Sequence, residues 1–479
     1  MRKTKIVATV GPATDNPTVM RNVLSAGLDV ARFNFSHGTH EDHKMRLDSL
    51  RKICEEDGTL LAFLADTKGP EVRLGDFAEG KVKLVENSTF VLTTEAISGD
   101  ASKVSVTYPG LPAELSPGNM VLLDDGLIAL SVESISGNEI TTRVLNGGYV
   151  SSKKGVNVPD VSLKLPFISE KDREDLKFIV ENDFDILAAS FVRSAEDIIE
   201  LKNELAKHDP DNQIRIIAKI ENSEGVDNVD EILQVTDGLM VARGDLGVEM
   251  PFEVLPIIQK QLINKALYYG KEVITATQML ESMIQNPRPT RAETSDVANA
   301  IFDGTGSVML SAETSVGKYP AESVAAMARI AEEIEGSIDY NARSIKGFHI
   351  PETTITNAIS HATVTAAHEL NAKAILAVTL GGGTARNISK FRPICPIIAC
   401  TPDPAAARGL KLDWGVYPQL IQEKDGAVGL FTYSVGMALQ NNLLKMGDIA
   451  VMTAGLPLGY TGNTNMIKIH VVGEKILLY

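Results

Sequence analysis

The pattern of hydrophobic and polar positions divides the chain into three stretches. In residues 1–70 the apolar runs KIVATVG, DVARFNFS and LLAFLADT alternate with stretches that predict helices at Thr18–Ala26 and His40–Glu55. Continuous apolar strands that alternate with helices are typical of a parallel sheet buried on both faces. The first stretch therefore predicts three strands and two helices of such a sheet.

The second stretch, from about Glu71 to Lys164, has no helical period. Short strands with alternating side chains (KVKLV, STFVLTTE, MVLLDD, LIALSVESI, EITTRVL) are separated by turn residues such as Asp125-Gly126 and Gly137-Asn138. This pattern predicts an inserted all-β segment. We call residues 71–164 the lid.

The α/β pattern resumes with a predicted helix at Glu170–Glu181. Counting along the chain gives eight strands, near residues 6, 31, 62, 187, 217, 240, 274 and 308. Eight βα units predict a (β/α)8 TIM barrel, in which functional groups lie at the carboxyl ends of the strands. An open doubly wound sheet is the alternative. Because the lid follows strand three at its carboxyl end, we expect it to lie beside the site and to cover it.

From about Ile345 a smaller α/β unit is predicted. It begins with a helix at 352–370 and has strands at AILAVTL, PIIAC, VYPQLI, DIAVMTA and IKIHVV. The fold expected is thus an α/β barrel with an inserted lid and a C-terminal α/β domain. The predicted boundaries are 1–70 and 165–344 for the barrel, 71–164 for the lid and 345–479 for the C-terminal domain.

Composition narrows the classes of partner. The chain has 46 Lys plus Arg against 62 Asp plus Glu, and its net charge of -16 disfavours nucleic acid and acidic membrane surfaces. We find no run of eighteen apolar residues and no leader, so we expect a cytoplasmic protein. Cys54, Cys395 and Cys400 form no paired motif, and their expected role is packing.

Candidate chemistry is concentrated in the stretch Arg215–Pro251. Its pattern predicts a buried strand, a short helix at Val226–Gln234 and a second buried strand that ends in a Gly-Asp turn. Lys219 and Glu221 lie on one face of a predicted strand, because side chains alternate along it, and Asp245 follows the next strand. Two carboxylates supply the hard oxygen ligands that Mg²⁺ prefers, and an ammonium group beside them suits a transferring phosphoryl group. The stretch therefore predicts a site for a divalent metal and a phosphate.

Polar residues also end other strands of the predicted barrel. Arg32, Asn34 and Ser36 share one face of strand two, and a buried guanidinium there needs either an internal carboxylate or an anionic ligand. Asp66 and Thr67 end strand three. Thr277 and Ser311 end strands seven and eight, where hydroxyl groups bind a carboxylate, relay a proton or merely cap the following helix.

Two other chemistries are disfavoured by the sequence. His37, His40 and His43 suggest zinc, but their spacing of three differs from the spacing of four typical of helical zinc motifs. Neither a Walker motif nor the protein-kinase loops occur in the chain.

Motifs along nearly the whole chain carry a family resemblance. KIVATVGPAT, ARFNFSHG, DTKGPEVR, KKGVNVP, AKIEN, VARGDLGVE, ITATQMLESM and SDVANAIFDGTGSVMLSAET together resemble pyruvate kinase, in a short bacterial form. The resemblance implies transfer of the phosphoryl group of phosphoenolpyruvate to ADP, giving pyruvate and ATP.

The resemblance also implies roles for the residues that end the strands. Arg32 and Lys219 match the phosphate-binding pair, and Glu221 and Asp245 match the ligands of Mg²⁺ or Mn²⁺. The backbone amides of Gly244 and Asp245 match the carboxylate site. Thr277, with Ser311, matches the group that protonates the enolate through water.

A potassium site and a nucleotide site follow from the same resemblance. The K⁺ ligands implied are Asn34, Ser36, Asp66 and Thr67, and the nucleotide contacts implied are Asn34, His37, Arg73 and Lys154. Family members with Glu at the position of Glu71 generally need potassium, so we predict activation by K⁺. The family is usually a homotetramer, and we expect the same assembly here.

The C-terminal domain resembles an effector-binding domain. Its strand-to-helix loop predicts a phosphate site, with the residues Thr379, Gly381, Gly382, Gly383 and Thr384. Gly383 replaces a common Lys or Arg, and the loop Gly455–Asn465 contains no cation. We therefore expect a monophosphate effector, or none, in preference to fructose 1,6-bisphosphate.

Two other functions compete with this interpretation. A magnesium-dependent aldolase or lyase acting on pyruvate enolate also pairs Glu and Asp on a metal, but it would not need the lid or Lys219. A catalytically inactive sensor is disfavoured, because every candidate catalytic position carries a suitable side chain.

Overall fold

The computed structural model describes residues 1–211, 213–340, 354–422, 426–457 and 462–476. Its first three strands are β1 (Lys5–Thr9), β2 (Val30–Asn34) and β3 (Ala62–Asp66), which pair in parallel. Helices Pro17–Ser25 and His40–Asp57 connect them. The second helix begins with a capping box, in which Thr39 and Asp42 each bind the other's backbone amide. The helices therefore lie within a residue or two of their predicted bounds.

The lid strands come next along the chain. They are β4 (Val72–Arg73), β5 (Lys81–Leu84), β6 (Thr89–Thr93), β7 (Lys103–Ser105), β8 (Met120–Leu123), β9 (Ile128–Ser136), β10 (Glu139–Val144), β11 (Gly148–Ser151) and β12 (Gly155–Asn157). Seven of them form one sheet in the order β4-β12-β8-β9-β10-β6-β7, and β11 pairs with β5. Side chains alternate between buried and exposed along these strands, and the buried ones form a separate core.

Five further strands complete the barrel. They are β13 (Ile186–Ala189), β14 (Arg215–Ile220), β15 (Gly238–Ala242), β16 (Glu272–Ala276) and β17 (Ser307–Leu310). The eight strands close in the order β1-β17-β16-β15-β14-β13-β3-β2, with parallel pairing throughout. The predicted (β/α)8 barrel and all eight predicted strand positions are confirmed.

Helices cover the outside of the barrel strands or, where they are short, border the mouth of the barrel. Their bounds in the second part of the barrel are Glu170–Glu181, Ala195–Leu205, Ser223–Asp227, Val229–Val235, Arg243–Glu249, Leu255–Tyr268, Arg291–Asp303, Ala312–Ser315 and Pro320–Ser337. Their apolar faces pack on the outward-facing side chains of the strands in one large core. Among the described residues, no helix is long and apolar enough to cross a lipid bilayer.

The C-terminal unit is a five-stranded sheet. Its strands are β18 (Ala374–Val378), β19 (Ile397–Thr401), β20 (Val416–Leu420), β21 (Ile449–Ala454) and β22 (Met466–Val471), in the order β20-β19-β18-β21-β22. Helices Ile355–Glu369, Gly383–Ser389, Pro404–Gly409 and Gly426–Gln440 flank it. All five predicted strands are confirmed. The predicted domain boundary at 344/345 and the first residues of the helix predicted at 352–370 lie outside the described residues.

The C-terminal unit closes the amino-terminal end of the barrel. Leu412 is fully buried in the same cluster as the side chains that fill the barrel interior, such as Ile217 and Met240. The Arg215 side chain, at the start of β14, binds both carboxylate oxygens of Asp413 at 2.9 and 3.0 Å. This end of the barrel is therefore sealed by an apolar side chain flanked by a buried ion pair.

Three local predictions are wrong. The single helix predicted at Val226–Gln234 is two short helices, because the chain bends at Asn228, the last residue before the second one. The Gly-Asp turn predicted after β15 is the first turn of the helix Arg243–Glu249. The lid, predicted to lack helices, contains one helical turn at Leu111–Glu114, which begins with a Leu-Pro pair.

Candidate active site

One carboxylate joins the two cations predicted to bind phosphate. Arg32 lies on β2 and Asp66 ends the neighbouring β3, and the Arg32 Nε donates to Asp66 Oδ2 at 2.7 Å. The Lys219 Nζ lies 2.9 Å from Asp66 Oδ1. Burial alone would raise the pKa of Asp66, but Arg32 and Lys219 outweigh it and hold that pKa below its usual value. Asp66 therefore stays ionised and fixes both cations at the barrel mouth.

Lys219 has two further partners. Its Nζ lies 2.9 Å from Glu221 Oε1 and donates to Ser190 Oγ at 2.6 Å. Burial lowers the pKa of an ammonium group, yet the carboxylates of Asp66 and Glu221 more than compensate and raise the pKa of Lys219. Lys219 is thus a buried, fully charged ammonium group whose position is set from three sides.

Glu221 combines burial with nearby negative charge. Its Oε2 accepts a hydrogen bond from the Phe191 backbone amide at 2.6 Å. Burial is the largest cause of a raised pKa for Glu221, and together with the charge of Asp245 it outweighs the opposing effect of Lys219 and brings that pKa to about 7. Glu221 and the neighbouring Asp245 form a carboxylate donor set that a divalent cation would stabilise, and both groups supply the oxygen ligands that Mg²⁺ prefers. The residues therefore fit the predicted metal.

The predicted carboxylate site and the predicted proton-transfer residue are in direct contact. The Gly244 amide donates to Thr277 Oγ1 at 2.8 Å, and Thr277 Oγ1 donates to the Ala276 carbonyl at 2.6 Å. Asp245 follows in the same helical turn. Binding groups after β15 are therefore linked to the hydroxyl after β16.

Ser311 joins this group through a carboxylate. The Ser311 amide donates to Glu313 Oε2 at 2.7 Å, and Glu313 Oε1 accepts from the Leu280 amide at 3.1 Å. Glu313 thus ties the loop after β17 to the loop that carries Thr277.

A cavity of about 860 Å³ lies between the barrel mouth and the lid. The predicted site residues in its lining are Arg32, Asn34, Ser36, His37, Arg73, Lys154, Lys219, Glu221 and Asp245. Asp66 and Thr67 are buried. The lining does not include Gly244, Thr277 or Ser311, although Gly244 directly precedes Asp245. Most predicted residues are thus brought together.

The cations on the lid side of the cavity pair with carboxylates of the lid itself. Arg73 binds both carboxylate oxygens of Glu71, at 2.5 and 2.9 Å, and Lys68 approaches the same group at 3.1 Å. Lys154 pairs with Asp124 at 2.7 Å. These side chains are partly exposed, so an entering polyphosphate can exchange with the carboxylates.

The oxygen atoms predicted to hold potassium gather at the ends of β2 and β3, where Asn34 and Asp66 are direct neighbours in register. Asn34 Oδ1 accepts from the Ser36 amide at 3.1 Å, and the Thr67 carbonyl accepts from Ser190 Oγ at 2.6 Å. A set made only of oxygen donors fits a hard monovalent cation.

Side chains anchor the lid to the barrel mouth. Asn157 Nδ2 donates to Glu249 Oε1 at 3.0 Å, and Ser162 Oγ donates to Glu224 Oε2 at 2.7 Å. Arg193 Nη1 donates to the Leu163 carbonyl at 3.0 Å. The lid therefore rests on the helices that follow β14 and β15.

The three histidines considered for zinc lie in different surroundings. His43 is buried and stacks on Phe35 with ring centroids 4.4 Å apart. His40 stacks on Phe178 at 4.5 Å and lies 2.6 Å from Asp175 Oδ1. His37 lines the cavity. Aromatic packing accounts for the positions of His43 and His40.

The predicted effector loop joins β18 to the helix Gly383–Ser389. Thr379 and Thr384 are buried, and Thr384 Oγ1 lies 2.8 Å from Thr464 Oγ1. A Cβ atom added at Gly381 or Gly383 would meet no atom within 4 Å, so the loop borders open space. Arg386 is turned inward and donates to the Gly381 carbonyl at 2.7 Å.

Sequence reasoning missed two residues of the site. Ser190 follows β13 and contacts both Lys219 and Asp66. The sequence did contain a signal for Ser190, because it is a polar residue at the carboxyl end of a buried strand. Arg243 follows β15 in the same way and binds backbone carbonyl groups after β16.

Known proteins are similar to this chain over nearly its whole length. The family described as "Pyruvate kinase, barrel domain" matches residues 1–324, and "Pyruvate kinase, alpha/beta domain" matches residues 357–470. The chain is 48% identical to a pyruvate kinase of Geobacillus stearothermophilus over 99% of this chain and 81% of that protein. It is 46% identical to a pyruvate kinase of Clostridium acetobutylicum over 98% of this chain and 100% of that protein.

A solved structure agrees with these matches. A pyruvate kinase from Cryptosporidium parvum superposes with a TM-score of 0.93 at 38% identity, covering 98% of this chain and 96% of that one. The family match spans more than half of the chain, and the barrel that it describes carries the clustered cations and carboxylates. The chain therefore belongs to the pyruvate kinase family, whose members transfer the phosphoryl group of phosphoenolpyruvate to ADP.

Proposed function

We propose that the reaction takes place in the cavity between barrel and lid, with Arg32 and Lys219 binding the phosphoryl group of phosphoenolpyruvate. The observation that carries this proposal is the Asp66 carboxylate, which holds both cations at 2.7 and 2.9 Å. Buried cations held in place need no reorganisation when negative charge develops in the transition state. Arg32 orients the phosphoryl group and Lys219 follows it during transfer.

Glu221 and Asp245 are the proposed ligands of Mg²⁺ or Mn²⁺. When bound, the metal supplies Lewis-acid stabilisation of phosphate and enolate oxygens. Asn34, Ser36, Asp66 and Thr67 are the proposed K⁺ ligands. Glu71 supports this assignment, because family members with Glu at this position generally need potassium, whereas a Lys there would supply the positive charge itself.

The nucleotide enters from the lid side. The proposed contacts of ADP line the same cavity, Arg73 and Lys154 from the lid and Asn34 and His37 from the barrel. An oxygen of the terminal ADP phosphate attacks phosphorus, the bond from phosphorus to the enol oxygen breaks, and pyruvate enolate remains. Anchored over the barrel, the lid excludes water that would otherwise hydrolyse the phosphoryl group.

The enolate is then protonated on its terminal carbon. A water molecule held by the Thr277 hydroxyl gives a proton to that carbon, the carbon–carbon π electrons form the new C–H bond, and the enolate oxygen becomes the ketone oxygen. The hydroxide left behind takes a proton from solvent, with Ser311 in the relay. The amides of Gly244 and Asp245 are the proposed partners of the substrate carboxylate, and the Gly244 amide would exchange its bond to Thr277 Oγ1 for that carboxylate when the substrate binds.

Metal binding tests the site directly. Binding of Mn²⁺ to the free protein, followed by electron paramagnetic resonance, is expected to weaken strongly in Glu221→Gln. Glu170→Gln is the matched control, since its side chain is almost fully exposed on an outer helix. Equal affinity in both variants would contradict the role proposed for Glu221.

Regulation and assembly remain proposals from the family. We propose a monophosphate effector, or none, at Thr379, Gly381, Gly382, Gly383 and Thr384, because Arg386 is bound to the loop's own backbone. Titration with fructose 1,6-bisphosphate, AMP and sugar monophosphates tests this, and a large drop in half-saturating phosphoenolpyruvate with the bisphosphate would contradict it.

We also propose the division into 1–70 and 165–344, 71–164, and 345–479, a homotetramer, and a cytoplasmic location without nucleic-acid or membrane partners. Sedimentation velocity measures the assembly.

A further inference from the structure

The loop after β16 has an unusual backbone. Thr277 has φ of 65° and Gln278 has φ of 53°, so two consecutive residues adopt the left-handed region. L-residues rarely do so, and a β-branched side chain such as that of Thr277 is especially disfavoured there. The conformation must therefore be maintained by contacts from outside the loop.

Arg243 supplies those contacts. Its Nη2 donates to the Thr277 carbonyl at 2.6 Å and to the Gln278 carbonyl at 3.1 Å, and its Nε lies 3.3 Å from the Ala276 carbonyl. The planar guanidinium thus binds three successive carbonyl groups of the loop. Its side chain is only 12% exposed, and Nη1 pairs with Asp296 at 2.7 Å.

The next residue holds the side chain of the same threonine. The Gly244 amide donates to Thr277 Oγ1 at 2.8 Å. Arg243 and Gly244 therefore fix the carbonyl and the hydroxyl of Thr277 from one helical turn. That turn also carries Asp245, the proposed metal ligand. The position of Thr277 after β16 is therefore fixed relative to the substrate-binding groups after β15.

We infer that Arg243 is a positioning residue for protonation of the enolate, acting by holding Thr277 in its left-handed conformation. This inference rests on the role proposed above for Thr277. Arg243 has its charge paired by Asp296 and does not line the cavity. Its loss should therefore displace the Thr277 hydroxyl, and the water it holds, while Arg32 and Lys219 keep their own partners.

The test compares the two half-reactions in Arg243→Gln. Phosphoryl transfer is measured as single-turnover ATP formation, and protonation is measured as exchange of the pyruvate methyl hydrogens with deuterated solvent by NMR. We expect exchange to fall about 10- to 100-fold, less than the roughly 10²- to 10⁴-fold that a positioned proton-transfer group contributes, because the Thr277 hydroxyl is displaced but retained. We expect ATP formation to fall less than about threefold. Arg21→Gln is the matched control, because Arg21 is an exposed arginine of the helix Pro17–Ser25 that pairs with Asp57 at 3.1 Å, away from Arg243 and Asp296.

A second substitution separates positioning from general damage. Glycine adopts positive φ without steric cost, so adding Gln278→Gly to Arg243→Gln should recover part of the lost exchange. A purely destabilised protein would not recover in this way. If Arg243→Gln does not fold, Asp296→Asn weakens the anchor of the same guanidinium and is expected to lower exchange selectively.

The outcomes distinguish this inference from the proposed function. Unchanged exchange in Thr277→Val would overturn both the role of Thr277 and the inference. A fall in Thr277→Val with normal exchange in Arg243→Gln would overturn the inference alone. An equal fall of ATP formation and exchange in Arg243→Gln, without recovery by glycine, would also overturn it.

Discussion

Replacement of Lys219 by methionine should remove most of the phosphoryl-transfer rate. Methionine keeps much of the length of the side chain and removes its charge. In the structure Lys219 Nζ lies 2.9 Å from both the Asp66 and the Glu221 carboxylates, so a phosphoryl oxygen in this pocket would sit at ion-pair distance. A pair of unit charges at about 4 Å interacts by about 4 kcal/mol at an effective dielectric constant of about 20. If that interaction is made in the transition state, its loss lowers the rate about 10³-fold.

The assay follows ATP formation from saturating phosphoenolpyruvate and ADP. It is run at pH 8 as well as pH 7, because Lys219 lowers the pKa of Glu221, so its removal leaves that group more easily protonated and less able to bind a metal. Lys207→Met is the control, since Lys207 pairs with Glu204 on an outer helix at 2.6 Å. Circular dichroism confirms the fold. A variant that keeps more than a tenth of the wild-type rate at pH 8 would refute this reasoning.

Three further predictions concern other parts of the molecule. Glu71→Lys should reduce the ratio of activity in potassium to activity in tetramethylammonium, because the lysine supplies the missing positive charge; an unchanged ratio would show that Glu71 does not determine the requirement. Burial lowers the pKa of His43 to about 4 from an unfolded value of about 6.5. The folded state therefore binds this proton less well, and the protein should lose roughly 1 to 3 kcal/mol of stability as the pH falls from about 6.5 to about 4. Denaturation of His43→Phe across this range should show a flatter profile than the wild type, and parallel profiles would contradict the assignment. Leu412→Ala should lower the free energy of unfolding by roughly 2 to 5 kcal/mol, because it leaves a cavity at the sealed end of the barrel; a loss below about 1 kcal/mol in chemical denaturation would mean that the site collapses to fill it.

The sequence was most informative where apolar runs were continuous. Strands such as β14 and β15 are buried along their whole length, so a continuous run of apolar residues is enough to recognise them in the sequence. The lid strands β4 and β12 contain only two and three residues, which is too short for alternation to be recognised. They form because β12 pairs on both sides, with β4 and with β8. Non-local pairing of this kind leaves no local signal.

The site shows the same division. The positions of Lys219 and Glu221 were predictable. Side chains alternate between the two faces of a strand, so both residues lie on the same face, and they lie at the carboxyl end of β14, where barrel sites form. The helix that begins at Arg243 was not predicted, since Gly244 and Gly247 are poor helix formers and tertiary contacts stabilise the turn. The contacts of Arg243 depend on positive φ values at Thr277 and Gln278, residue types that seldom adopt them. A propensity argument therefore points away from the geometry that the site uses.

The burial of Leu412 at the amino-terminal end of the barrel has a consequence for folding during synthesis. β1 pairs with β17, so the ring of strands cannot close until Leu310 has left the ribosome. Leu412 emerges only after further helices and the strands β18 and β19. Amino-terminal regions generally fold first during synthesis. We therefore expect a stage in which the barrel strands have formed while Ile217, Met240 and their neighbours are still exposed to water at one end. The segment that carries Leu412 therefore completes the interior of the barrel last.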